Sequence, residues 1–267
     1  MTAPAITPTP VRFHLGVHQP AWMEHLDFPL FVSNRRLMNR KSLPRAAGPW
    51  ALDSGAFSEV DLYGRWKTTA QQYATAVNRY HDEIGNLEWC SPMDWVCEPW
   101  MLPKTGLTIE EHLRRTVDSV VELRSLGVKT RVIPVLQGWL RPHYLRCAEM
   151  YADAGIDLLA EPLVGVGSMC RRQNHWRASL LLDELARLGG RGAPLVPLHA
   201  FGFKIQGLTL SRSLASADSM AWSSAGRRER GCGPTHKTES NCMSYALWWR
   251  NHLMERLEDA GVPSCPA

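Results

Sequence analysis

Two aspartates stand where runs of strand-like sequence stop, Asp53 in WALDSGAF and Asp218 in SADSM. Two carboxylates sharing a pocket separate their pKa values, so that one is ionised while the other holds a proton. Asp94, Gln137, Gly165 and His199 stand at or just beyond the ends of further runs. In a parallel α/β barrel such ends converge on one mouth, where the chemistry is done. The stretch Asp53-Ser54-Gly55-Ala56-Phe57 reads two ways: as a turn or helix cap, or as a floor for a flat ligand with an acid beside it. Phe57 is by the same token either core or a stacking ring. Farther along, Cys232, His236 and Cys242 supply two thiolates and an imidazole within eleven residues. A structural zinc site closes a tetrahedron with a fourth ligand, which Glu239 or Cys265 could provide. The basic clusters at Arg35-Arg36, Arg171-Arg172 and Arg227-Arg228 are either solvated surface or phosphate contacts.

The elements that must position these residues alternate. Residues 11–17 read as a strand, ALDSG (51–55) ends a second run, 88–95 is a short extended run, and 131–138, 156–167 and 193–203 read as further strands. Between them, helices are expected over 68–85, from the capping-box spacing Thr108–Glu111 to about Gly127, over 141–154 and over 177–188. An amphipathic helix, 243–257, closes the chain. Seven or eight strands alternating with helices predict a (β/α)8 barrel of the TIM type, with an open doubly wound sheet as the alternative. The segmentation is a flexible start (1–10), a barrel (11–230), and a zinc-binding segment with a C-terminal helix packed on the barrel (231–267). Val164-Gly165-Val166-Gly167 lacks the full spacing of a dinucleotide-binding loop.

With 267 residues, 45% of them hydrophobic, the chain can bury a large core. Seven cysteines, an odd and scattered number, suit thiols or metal ligands better than disulfides. A net charge of +4 permits nucleic acid without requiring it. The opening MTAPAITPTP lacks the basic start and apolar run of a signal peptide, and no stretch is apolar for long enough to span a bilayer. The chain therefore reads as soluble and intracellular, with no membrane partner.

From residue 50 to 255 the motifs fall in an order that resembles the tRNA-guanine transglycosylase superfamily, more closely its DNA-acting branch, the 7-deazaguanine DNA transglycosylases. Asp53-Ser54-Gly55-Ala56-Phe57 is similar to its Asp-Ser-Gly-Gly-aromatic motif, and Met93-Asp94 to the segment with the base-reading aspartate. Val135-Leu136-Gln137-Gly138 resembles its Val-Gln-Gly segment, and Leu163 to Gly167 its glycine-rich strand. Phe201-Gly202-Phe203 stands for its Met-Gly-Val-Gly turn, Ser216 to Met220 for the strand with the nucleophilic aspartate, and Asn241 to Ala246 for the helix that begins at the last zinc cysteine. Trp95 stands where the tRNA enzymes have an acidic residue, Ala56 replaces a glycine, and Glu239 stands where a further cysteine is expected. The chain also has no room for an added RNA-binding domain, which favours DNA over tRNA.

The resemblance implies exchange of guanine in DNA for a 7-deazaguanine, with 7-cyano-7-deazaguanine as the expected free base. Asp218 would be the nucleophile and Asp53 the acid and base. Asp94, Gln137, Gly138, Gly165 and Gly167 would read the base edge, with Ser54, Gly55, Phe57 and Phe201 around it. Arg171, Arg172, Arg227 and Arg228 would meet the DNA backbone, and Zn2+ at Cys232, His236 and Cys242 would be structural. Relatives commonly pair, so a homodimer or a partner in a modification complex is an expectation too. The rivals are the same exchange on tRNA, a non-catalytic zinc-stapled DNA-binding subunit, and a glycoside hydrolase on the same barrel.

Overall fold

The computed structural model describes residues 11–262, apart from Arg171, Gln173, Lys204 and Arg212. Among the described residues nine strands follow one another as β1 (Arg12–Val17), β2 (Leu30–Ser33), β3 (Trp50–Asp53), β4 (Leu87–Cys90), β5 (Arg131–Val132), β6 (Val135–Leu136), β7 (Val164–Val166), β8 (Leu198–Ala200) and β9 (Leu214–Ser219). Every pairing is parallel, in the order β5-β4-β3-β2-β1-β9-β8-β7-β6.

The two edges of this sheet are consecutive pieces of one strand. Proline has no N–H to give a ladder, and Pro134 separates β5 from β6. Ahead of it, Ile133 N–H donates to Cys90 of β4 (3.2 Å). Behind it, Gly165 N–H of β7 donates to the Pro134 carbonyl (2.8 Å). The strand therefore belongs to both edges, an arrangement consistent with a TIM-like barrel and not with an open doubly wound sheet.

A strand alternates its side chains between two faces, and here the alternation sorts the core. Leu30, Val32, Trp50, Leu52, Val164, Val166, Leu198 and Ala200 pack outward in the large cluster beneath the helices. Phe31, Ala51, Trp89, Val135 and Phe201 form a separate cluster inside. Asp53 follows Ala51 by two, Gln137 follows Val135 by two, and Gly167 follows Gly165 by two, so each is the next inward position of its strand.

Around the barrel lie helices Ala56–Tyr63, Ala70–Glu83, Ile109–Ser125, Arg141–Asp153, His175–Leu185 and Met243–Asp259. Thr69 and Gln72 make a full capping box at the second of these. Thr108 caps the third through Glu111 N–H, but the Glu111 carboxylate turns to Arg114 and Arg115 instead of closing the box. The strands expected over 156–167 and 193–203 shrink to three residues each, because turns occupy Asp157–Ala160 and the segment before Leu198 is irregular. Strand β2 and helix Ala56–Tyr63 were not foreseen. Buried Ala246, Trp249, Leu253 and Leu257 confirm one apolar stripe on the last helix. No described helix is long and apolar enough to cross a membrane.

Candidate active site

At the C-terminal ends of the strands lies a cavity of about 180 Å3, lined by Asp53, Phe57, Asp94, Gln137, Gly167, Phe201 and Asp218 among others. At ~30 Å3 per water this is space for about six waters, on the scale of one flat bicyclic base. The two aspartates singled out from distant parts of the chain thus meet at one site.

Asp53 ends β3, and its Oδ1 accepts from Gly55 N–H at 3.0 Å. Gly55 has φ +84°, and a Cβ there would meet the Arg35 side chain at 2.8 Å, so only glycine turns the chain tightly enough to start the next helix. The turn reading is realised, and the turn holds the carboxylate at the cavity. Burial raises the Asp53 pKa, opposed by the Gly55 and Ser33 hydrogen bonds, and the charge of Asp218 raises it further.

Asp218 lies in β9. Gly202, at φ +59°, aims its N–H at Asp218 Oδ1 (2.9 Å). His199 Nε2 lies 3.2 Å from the same oxygen and its Nδ1 2.8 Å from Ser216 Oγ. The imidazole packs among Trp89, Phe201, Phe31 and His14, and burial pushes its pKa down to about 3. A neutral His199 therefore donates from Nε2 to the carboxylate while Nδ1 accepts from Ser216. Burial pushes Asp218 up to about 7, against the Gly202 N–H.

Asp94 sits in the loop after β4, four residues beyond the strand. Hydroxyls of the helix Ile109–Ser125 hold that loop: Ser119 takes Met93 N–H at 3.0 Å and Thr116 takes Trp95 N–H at 2.9 Å. Trp95 itself is buried, with the Arg115 guanidinium 4.7 Å above its ring. The position that is acidic in the tRNA enzymes is thus a packing position here. Burial pushes Asp94 up to about 7, opposed by the Gln137 hydrogen bond and reinforced by Asp53 and Glu98.

Raised carboxyl pKa values have a consequence for stability. The unfolded carboxyls hold their protons only below about pH 4, whereas the folded protein holds those on Asp94 and Asp218 to about 7. Between these pH values the folded state binds more protons, so stability falls as pH rises. Asp218→Asn is expected to raise the unfolding temperature at pH 8 and to leave it near wild type at pH 4, with ~4 kcal/mol as the ceiling of the effect. Thermal unfolding across this range checks it, and an unchanged difference at both ends rejects it.

The other expected residues divide. Ser54 is fully buried, its N–H bound to Ser91 Oγ at 2.8 Å. A Cβ on Gly167 would strike the Gln137 amide at 2.2 Å, so this glycine lets the amide lie against the backbone. Gly165 and Gly138 are not cavity residues. A Cβ on Gly165 would strike Phe201 at 2.5 Å and one on Gly138 would meet Tyr144 at 2.9 Å, so they serve packing. Arg227 and Arg228 are exposed after β9. Arg172 instead spends its guanidinium on Ser168 O, Trp139 O and Tyr144 Oη, bracing its own loop. Arg171 lies outside the described residues. His199, Ser168 and Glu98 are site residues that the sequence reading did not include. His199 was marked as a strand-end polar residue, whereas Ser168 and Glu98 carried no such signal.

The metal cluster is separate from the cavity. Ligand atoms of Cys232, His236, Glu239 and Cys242 lie within 4.8 Å of one another. The sulfurs are 3.7 Å apart, Cys232 Sγ is 3.6 Å from His236 Nε2, and that nitrogen is 3.4 Å from Glu239 Oε2. A zinc tetrahedron with Zn–S ~2.3 Å and Zn–N/O ~2.0 Å has edges of about 3.8, 3.5 and 3.3 Å for these pairs. The donor set fits zinc, and Glu239 is the fourth candidate ligand; Cys265 lies outside the described residues.

A family model for DpdA, DeoxyPurine in DNA protein A, matches residues 10–264. No curated protein matches the chain. Among solved structures, the YdjI aldolase from Escherichia coli K12 is similar over 95% of this chain and 91% of its own, at 13% identity and a TM-score of 0.35. The chain belongs to the DpdA family, the 7-deazaguanine DNA transglycosylase branch of the tRNA-guanine transglycosylase superfamily, whose members are transglycosylase-type enzymes of DNA modification.

Proposed function

We propose that the protein replaces guanine in DNA by a 7-deazaguanine, with 7-cyano-7-deazaguanine as the incoming base, through a covalent Asp218–deoxyribose intermediate. The observation that carries this reading is the lining of one base-sized cavity by Asp53, Asp94 and Asp218, with Asp53 and Asp218 close enough to feel each other's charge.

Exchange with retention at C1′ takes two inversions, so a nucleophile must hold the sugar between them. The Asp218 carboxylate, oriented by Gly202 N–H and His199, attacks C1′ as the bond to guanine N9 breaks. Asp53 gives its proton to the departing guanine. The incoming base then loses its N9 proton to Asp53 and attacks C1′, and the ester to Asp218 breaks. Asp94 accepts from the ring N–H and amine of the base, and Phe57 and Phe201 flank it. The nucleotide must leave the base stack to reach such a pocket. Arg227 and Arg228, exposed after β9, would meet the DNA phosphates. Zn2+ at Cys232, His236, Glu239 and Cys242 is structural.

The test is to incubate the protein and 7-cyano-7-deazaguanine with DNA and with tRNA, and to analyse the released nucleosides by mass spectrometry. The deazaguanine nucleoside is expected from DNA alone. Its appearance in tRNA only rejects this reading.

A further inference from the structure

Strand β9 takes one residue more than β8 where the two pass the site. Leu198 pairs with Leu214 but His199 pairs with Ser216, so β8 advances one residue while β9 advances two. Such bulges are rare between parallel strands, and next to active sites they re-aim side chains. The extra residue here is Ala215. It sets Ser216 opposite His199 and leaves Asp218, two residues on, facing the same way. Both side chains then reach the imidazole, Ser216 Oγ at Nδ1 (2.8 Å) and Asp218 Oδ1 at Nε2 (3.2 Å).

The imidazole is boxed in. His199 is 0% exposed, and the rings of Trp89, Phe201, His14 and Phe31 surround it at centroid distances of 4.7 to 5.7 Å. Two further titratable groups bear on the pair. His14 of β1 packs against the imidazole and is kept neutral by its own burial, and Asp53 of β3 feels the charge of Asp218.

Counting hydrogens fixes the tautomer for either charge state of Asp218. A neutral imidazole has one N–H, and the nitrogen that carries it is set by the bond the other nitrogen makes. Ser216 is 4% exposed, and among the described residues its hydroxyl has Nδ1 as its hydrogen-bond partner and no other. With the hydroxyl donating to Nδ1, Nε2 carries the hydrogen and gives it to Oδ1, which also takes the Gly202 N–H at 2.9 Å. The other tautomer sets Nδ1–H against the serine oxygen and leaves the hydroxyl hydrogen buried without an acceptor. Below about pH 7 burial keeps a proton on Asp218. Oδ1 already accepts twice, so that proton sits on Oδ2, the oxygen left to the cavity that Asp218 lines.

We propose that Ser216 is a positioning residue that, through His199, holds Asp218 Oδ1 as a permanent acceptor, so that Oδ2 is both the oxygen that binds a proton and the oxygen that bonds C1′. The proton passes from Oδ2 to water in the cavity before attack. As Oδ2 bonds C1′, the C1′–N9 pair leaves with the guanine, and Oδ1 becomes the ester carbonyl with both N–H groups still on it. When the incoming base attacks, the C1′–Oδ2 pair returns to the carboxylate, which the same two donors stabilise. This inference rests on Asp218 as the nucleophile of the proposed function.

Nitrogen-15 spectra of the ligand-free, histidine-labelled protein read the tautomer without any substrate, and His199→Gln identifies the signals. Wild type is expected to show the Nε2–H tautomer of His199 on both sides of pH 7, where Asp218 changes charge. A switch to Nδ1–H on acidification overturns the proposal. Ser216→Ala is expected to mix the tautomers and to lower kcat for base exchange by at least about 10-fold, the scale of one buried hydrogen bond, with KM for DNA within about 3-fold of wild type. Ser216→Thr keeps the hydroxyl and is expected to restore the single tautomer and most of kcat. A Ser216→Ala variant with the wild-type tautomer and rate, or a threonine variant as slow as the alanine one, overturns the proposal. The wild-type spectra decide alone if the alanine variant does not fold. A fixed Nε2–H tautomer in a protein that forms no adduct and exchanges no base rejects the nucleophile reading of Asp218, and with it the role given to Ser216. A tautomer that switches in an active enzyme rejects the role of Ser216 and leaves the exchange standing.

Discussion

Wild-type protein is expected to form a covalent adduct with DNA, and Asp218→Ala to abolish it and to lower base exchange by at least ~10^4-fold, the scale seen when an enzyme loses its nucleophile. The prediction follows from the surroundings of the carboxylate. Gly202 N–H and a neutral His199 both address Oδ1, which leaves Oδ2 to approach C1′. The measurement is denaturing electrophoresis of protein incubated with labelled DNA, followed by mass spectrometry of the trapped peptide. Asp53→Asn provides the contrast. It leaves the nucleophile in place but removes the proton donor, so the adduct is expected to form ~10^2- to 10^4-fold more slowly, the usual worth of a general acid. An adduct that persists in Asp218→Ala, or none in wild type, rejects the mechanism.

Removal of the metal is expected to have the largest effect on stability. Cys242 immediately precedes the last helix, whose Trp249, Leu253 and Leu257 are buried. Arg230 and Thr238 pair as an antiparallel bridge beneath Cys232 and His236, and Ser223 Oγ donates to Ser240 O at 2.8 Å. One ion at this knot would join the loop after β9 to the helix that closes the chain. Binding energy at a structural zinc site is folding energy. Purified protein is expected to carry about one zinc per chain by elemental analysis. Cys242→Ser or exhaustive chelation is expected to cost several kcal/mol, or on the order of 10 °C in unfolding temperature for a chain of this length. Variants that stay folded are expected to form the adduct with DNA as wild type does, since no step of the proposed exchange passes through the metal. A metal-free protein with unchanged unfolding temperature removes the zinc assignment.

Local sequence already determined much of this protein. Strand-like apolar runs that stop at WALD and SAD placed aspartates at strand ends, and the alternation of strands with helices implied a parallel barrel. The ordered motifs from Asp53 to Cys242 pointed to the family, because each residue type there answers a local demand: a turn that needs Gly55, a cap, a thiolate. Only the tertiary structure decided the rest. Strand lengths shrank where turns met the barrel wall, and β2 emerged because Leu30 and Val32 find their partners on β1 and β3. Gly138 and Gly165 proved to be packing glycines, since what a Cβ would strike depends on Tyr144 and Phe201, nearby only in space. His199 became the partner of Asp218, and Glu98 and Ser168 joined Asp94, through contacts spanning 19 to 70 residues of chain. The physical reason is one of range. Turn chemistry and side-chain parity act between neighbours along the chain, whereas burial and proton sharing are set by groups that meet only once the barrel has formed.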